Sequence, residues 1–277
     1  MQTSQTAPSR YRIAPTICCP SCLRPRSSDP TIAQDRAGQS VRSAFIRAKK
    51  IEREYGRRLR SVARHVGDLV RGFDLENLTL TGTIGRALER YAETLKPWAE
   101  AVGNRMVAEV AARDERSWFR VAEQMGNALR KEIAEAPIGQ VIRARQDEQV
   151  RLITSLPREA AERVHAMTLE GITKGWRADQ ISAEIMKTGE VTKSRADLIA
   201  QTEVGRTSTL LTQARAEHVG SEGYNWRTAA DTDVRASHKA MAGKFVRWDA
   251  PPTLDGLTGH AGALPNCRCY CEPVLPD

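Results

Sequence analysis

Apolar residues recur at helical spacing through the first two-thirds of the chain. Val41, Phe45, Ala48, Tyr55, Leu59, Val62, Val66 and Leu69 follow alternating steps of three and four, with Glu52 the one polar interruption. This predicts a helix over Thr31 to Val70. Gly72, Gly82 and Gly85 punctuate a break. Helical spacing resumes from Thr83 to Ala136 through Ile84, Leu88, Tyr91, Leu95, Trp98, Val102, Val107, Val110, Trp118, Val121, Met125 and Leu129, with an interruption expected at Pro97. The large rings in this run read as core. Ile138 to Leu156 predicts a further helix, stopped by Pro157, which opens the next one to about Gly171. A short helix follows from Trp176 to near Gly189. The next is expected to start at Ser194, where Ser194 and Asp197 have capping-box spacing, and to end at Gly220 with His218 in its last turn.

After Gly220 the period changes. Tyr224 to Thr228 alternates and reads as a strand, Val234 to Met241 as a short helix, and Lys244 to Trp248 as a second strand. Pro251 to Ala263 is rich in Gly and Pro and reads as a loop. Cys267, Cys269 and Cys271 alternate with Arg268, Tyr270 and Glu272, as a final strand with its thiols on one face would. The class is α+β: a mostly α-helical N-terminal region followed by a small α+β C-terminal domain. The expected divisions are a flexible arm over 1–30, an elongated helical region over 31–190 and the C-terminal domain over 191–277. The arm assignment rests on the Pro, Ser and Thr content of Met1 to Pro30.

Charge adds a feature that periodicity does not show. The net charge is +8, and Arg36 to Arg71 alone holds eleven basic residues against three acids, which equals the whole excess. Val191 to Asp277 balances ten against ten. A local basic excess points to a polyanion or an acidic protein face, with a solvated helix as the competing reading. Arg57, Arg58, Arg60 and Arg64 are the candidate nucleic-acid contacts. No apolar run approaches the roughly 18 residues of a membrane span, and the first residues lack the pattern of a secretory signal.

The cysteines fall into two clusters, Cys18, Cys19 and Cys22, and Cys267, Cys269 and Cys271. With no secretion signal expected, metal ligation or reduced thiols are favoured over disulfides. The Cys19–Cys22 pair has the spacing of half a zinc site, but no second pair lies near it. In the C-terminal domain His238, His260, Cys267 and Cys269 supply the imidazoles and thiolates of a closed zinc site. Spacing argues against it: residues two apart on a flat strand lie about 7 Å apart, so the strand would have to bend, or Cys271 would have to substitute. The alternative is a His238 bonded to Asp231 or Asp233 beside buried thiols that act as small hydrophobes. Glu203, on the helix ahead of the strands, needs a partner if it faces the core, and Arg235 and His238 are the candidates.

An enzyme would need different assets. Asp231, Asp233, His238 and His260 could serve a metal-dependent nuclease, but the chain has no glycine-rich phosphate loop and no nucleophile elbow.

Three blocks, in order, carry a family resemblance: Arg195-Ala196 to Glu203, Trp226 to His238 with its D-T-D-V-R-A-S-H run, and His260 to Cys269 with its P-N-C-R-C core. Together they resemble the C-terminal domain of the phage Mu F-like head morphogenesis family, the minor capsid proteins of tailed phages. Glu203, Asp231, Asp233 and Arg235 are the signature positions within them. The resemblance implies a non-enzymatic minor head protein, present in few copies in the capsid interior and in the host cytoplasm during assembly. It further implies association with the portal vertex, contacts with portal, capsid or scaffold protein, and a role in DNA packaging or delivery. Packaged DNA is then the natural partner of the basic window, with no membrane and no small-molecule substrate. The alternative is a metal-dependent nuclease or DNA-binding module of a mobile element.

Overall fold

The computed structural model describes residues 45–46, 48–73, 81–125, 127–229 and 232–276. The expected arm with Cys18, Cys19 and Cys22, the start of the first predicted helix, and Asp231 lie outside them.

Helix α1 spans Lys49–Arg71; its buried residues Tyr55, Leu59, Val62 and Val66 follow the predicted stripe, and at its end Val70 is buried where Leu69 was expected. Then come α2 (Thr81–Thr94), α3 (Lys96–Met125), α4 (Asn127–Glu135), α5 (Gly139–Thr173), α6 (Ala178–Met186) and α7 (Thr188–His218). Pro97 falls at the second position of α3, where a missing N–H costs little. The chain is thus an α+β protein in which helices precede a small sheet.

Three expectations about element ends are corrected. Gly82 and Gly85 lie inside α2 rather than in a break. Pro157 does not end a helix: α5 runs unbroken through it for 35 residues. Ile153, Leu156, Ala160, Ala161 and Val164 around it are buried, and the Thr154 and Ser155 hydroxyls donate to carbonyls one turn back. Burial here outweighs one lost backbone bond. Ser194 is not a cap, because α7 starts six residues earlier, at Thr188. Position 191, where the C-terminal domain was expected to begin, therefore falls within α7.

The early start of α7 has a packing cause. Gly67 of α1 faces Gly189 of α7 so closely that a Cβ on Gly189 would stand 3.1 Å from the Gly67 Cα. One apolar cluster joins α1, α3, α5 and α7 through Leu59, Val102, Val107, Ile153, Ile199 and Val204. Another joins α1, α2, α5 and α6 through Val66, Leu88, Val164 and Ile181. Between α3 and α7, the fully buried Asp114 accepts from the Thr212 hydroxyl at 2.6 Å and from Arg215 Nε at 2.9 Å. Arg215 also donates to the Ile133 carbonyl of α4 at 2.7 Å, so one buried pair sets the register of three helices. Burial raises the Asp114 carboxyl to about 6, against the pull of Thr212 and Arg215.

Gly220, with φ at +84°, turns the chain out of α7, as expected. A three-stranded antiparallel sheet follows, ordered β2 (Phe245–Arg247), β1 (Gly223–Thr228) and β5 (Cys269–Val274). In its register Tyr224 faces Val246 and Trp226 faces Cys271. Tyr224 and Trp226, two apart on β1, are fully buried. They join Trp118, Val121, Leu129 and Ile133 of α3 and α4 and Ala216 and Val219 near the end of α7 in a third cluster. The short helix α8 (Ala236–Lys239) lies between β1 and β2. The expected loop over 251–263 contains a small hairpin, β3 (Thr253–Leu254) and β4 (Leu257–Thr258), turned by Asp255 and Gly256, both with positive φ.

Candidate functional site

The face of α7 toward the sheet is polar, and its spacing has a purpose. Thr202, Gly205, Arg206 and Thr209 stand at helical steps of three, one and three, on one face. Each meets the loop 261–266. Thr209 donates to the Ala261 carbonyl at 2.7 Å, Arg206 Nε donates to the Ala263 carbonyl at 3.2 Å, and the Asn266 N–H donates to Thr202 Oγ1 at 3.1 Å. Gly205 lets the loop approach: a Cβ there would stand 2.7 Å from the Gly262 carbonyl oxygen. Apolar periodicity does not mark this face, because none of the four is a large apolar residue.

The loop so held delivers Cys267. Asn266 adopts a positive φ of 54°, and the Cys267 N–H closes a turn on the Leu264 carbonyl at 3.1 Å. Cys267 therefore precedes β5 instead of lying on it, and only Cys269 and Cys271 belong to the strand. This bend removes the spacing objection. His238 reaches the same point from α8, with Nδ1 at 3.4 Å from Cys267 Sγ and 3.5 Å from Cys269 Sγ. The backbone N–H groups of Gly262 and Cys269 also point at Cys267 Sγ, at 3.4 and 3.5 Å. The Cys269 thiol, these two N–H groups and His238 lower the Cys267 thiol to about 5 despite its burial. The Cys269 thiol is pushed up, first by Cys267 beside it and then by burial. All three residues are buried, and one ligand atom from each lies within 4.8 Å of the others.

The other two candidates of the cluster point elsewhere. His260 is not in the group: its Nδ1 is 3.3 Å from the Tyr224 hydroxyl, and its ring packs edge-on against Tyr224 and Trp248. Burial lowers its pKa. Cys271 turns toward the Ala261 carbonyl at 3.5 Å.

The signature positions take structural places. Glu203, buried in α7, does not meet Arg235 or His238. Its Oε1 accepts from Arg206 at 2.9 Å, and its Oε2 accepts from Gln149 at 3.1 Å and from Arg145 at 3.4 Å. Gln149 in turn accepts from the Tyr55 hydroxyl at 2.8 Å. Arg235 donates to the Pro265 carbonyl at 2.7 Å, holding the loop ahead of Cys267. Asp233 pairs with Arg268 at 2.9 Å. Asp233, His238 and His260 thus have separate partners and do not converge as a water-activating set would.

The basic window forms a second feature. Lys50, Arg53, Arg57 and Arg60 of α1 face Arg105 and Arg116 of α3 across an open groove of about 850 Å³. Six cationic side chains line it against two acids, Glu54 and Glu109. Arg57 and Arg58 pair with Glu54, and Arg60 with Asp197 at 2.6 Å. Arg58 and Arg64 do not line this groove, whereas Arg105 and Arg116, far off in sequence, do.

Fold and sites together define a helical α+β protein with two distinct features, a closed imidazole–thiol cluster and an open basic groove. Residues 162–272 match the model of the Phage Mu protein F like protein family, so this part of the chain is similar to that family. The chain is 32% identical over 128 residues to an uncharacterized protein of Haemophilus influenzae, covering 46% of this chain and 28% of that one. It is 30% identical over 128 residues to the NAD(+)--arginine ADP-ribosyltransferase EFV of Enterococcus faecalis, covering 42% of this chain and 26% of the relative. The matched segment spans little more than a quarter of either relative's length. No solved structure matches the chain.

Proposed function

We propose that this protein is a phage or prophage minor head protein that acts without catalysis in head morphogenesis, inside the capsid at the portal vertex. The observation that carries the reading is the family match over residues 162–272, which takes in the loop, the strands and the helix that anchors them. The basic groove between α1 and α3 supports a role beside packaged DNA, because an open cationic trough on rigid helices suits a phosphate backbone and reads no sequence. Portal, capsid or scaffold protein is the protein partner in this reading. No helix among the described residues is long and apolar enough to cross a membrane. The contacts of Thr202, Arg206, Thr209 and Arg235 with the loop 261–266 and of Arg215 with Asp114 support a structural role. The test is recovery of the chain in purified heads together with the portal protein. Its absence from such particles would overturn the proposal.

A further inference from the structure

We propose that His238, Cys267 and Cys269 bind a single zinc ion through His238 Nδ1 and the two sulfurs, and that His260 is not a ligand. The argument is geometric and independent of what the protein assembles with. Zinc holds sulfur at about 2.3 Å and imidazole nitrogen at about 2.0 Å in a tetrahedron, which places a nitrogen and a sulfur ligand about 3.6 Å apart. The two nitrogen–sulfur separations here are 3.4 and 3.5 Å. Both nitrogen–sulfur pairs are already at coordination spacing, and the two sulfurs lie within 4.8 Å of each other.

The surroundings hold them there. The turn at Asn266 brings Cys267 back toward Cys269, Arg235 holds Pro265, and the edge-on Trp226 ring lies beside His238 with ring centres 5.6 Å apart. Two N–H groups aimed at Cys267 Sγ stabilise a thiolate, the form a metal takes. The donor set is soft: two sulfurs and an imidazole favour zinc over calcium or magnesium, which take oxygen. His238 Nδ1 is the ring nitrogen that faces both sulfurs.

Among the described residues the group has these three members. These three residues supply three of the four positions of a tetrahedral zinc. Zinc would tie α8 to the start of β5 across β1, adding to the apolar cluster and the β1–β5 ladder that already hold this region. Binding would couple to folding because the three ligands converge only in the folded chain, and to pH because both thiols must lose protons.

The experiment uses the full chain, purified without a histidine tag. Elemental analysis should find about one zinc per chain, as for a single site. Replacing zinc with cobalt should give thiolate-to-cobalt charge transfer and the intense visible bands of a tetrahedral ion. Cys267→Ser and Cys269→Ser should each lose the metal, and His260→Gln should keep the full complement. Should the cysteine variants fail to fold, cobalt titration of the metal-stripped wild-type chain decides. A folded wild-type chain that gives no thiolate–cobalt band overturns the proposal. So does a folded His260→Gln chain that has lost its zinc, or a Cys267–Cys269 disulfide in the protein as isolated.

Discussion

Glu203 shows how one buried charge is kept. Its carboxylate is 3% exposed, yet Arg206, Arg145 and Gln149 satisfy both oxygens. Replacing it with alanine leaves these donors facing one another. Glu203→Ala should therefore cost about 2–4 kcal/mol, the range for breaking a buried, hydrogen-bonded charge. Urea unfolding of the variant measures this, and a loss below about 0.5 kcal/mol, the usual size of a surface change, would contradict the account. At this scale residue types were legible in the sequence and partners were not. An acid in an apolar stripe announces that it needs a partner. Arg145 and Gln149 lie more than fifty positions away on another helix, where no spacing rule reaches. The same holds for His260: its type suggested a ligand, and three-dimensional packing assigned it to Tyr224 and Trp248. The bend at Asn266, which decides what Cys267 can reach, is signalled in sequence only by the Pro265-Asn266 pair, a turn former just ahead of the alternating cysteines.

At the scale of elements, two mid-helix glycines should respond to alanine with opposite sign. Gly85 of α2 has nothing within 4 Å of the point where an alanine Cβ would stand, so Gly85→Ala should stabilise by about 0.5–1 kcal/mol through lost backbone freedom in the unfolded chain. Gly205 of α7 would push its Cβ to 2.7 Å from the Gly262 carbonyl. Gly205→Ala should destabilise by about 1–3 kcal/mol, as overpacking does. Denaturation midpoints of the two variants check this, and shifts of the same sign would contradict the docking of the loop on α7. Helix existence was legible because three-four periodicity survives along whole elements, as in α1. Helix ends were less so. Pro157 and Gly189 are local breakers, and in each case packing of the surrounding residues outweighs the local preference. The β3–β4 hairpin was signalled by Asp255-Gly256, the strongest short turn pair, within a loop whose glycines and prolines obscured it.

At the scale of the molecule, the basic excess becomes a groove only when α1 and α3 pack. The sequence showed the window on α1; Arg105 and Arg116 could be added only by the fold. The groove carries a net of four positive charges from its six basic and two acidic residues. Duplex DNA bound there should lose about 100-fold in affinity between about 50 and 200 mM salt, the counterion-release slope for some four phosphates. Changing Arg53, Arg57, Arg60 and Arg116 together to Gln should remove most of that slope without altering thermal unfolding greatly. Binding whose salt dependence survives the change would move the DNA contact elsewhere.

The proposed role makes the chain a component of the phage head. Quantitative mass spectrometry of purified heads, DNA-filled and empty, tests it most directly. The account predicts peptides from this chain in both, far below the major capsid protein in amount and in constant ratio to the portal protein. Heads in which the portal protein is readily detected and this chain is absent would contradict it.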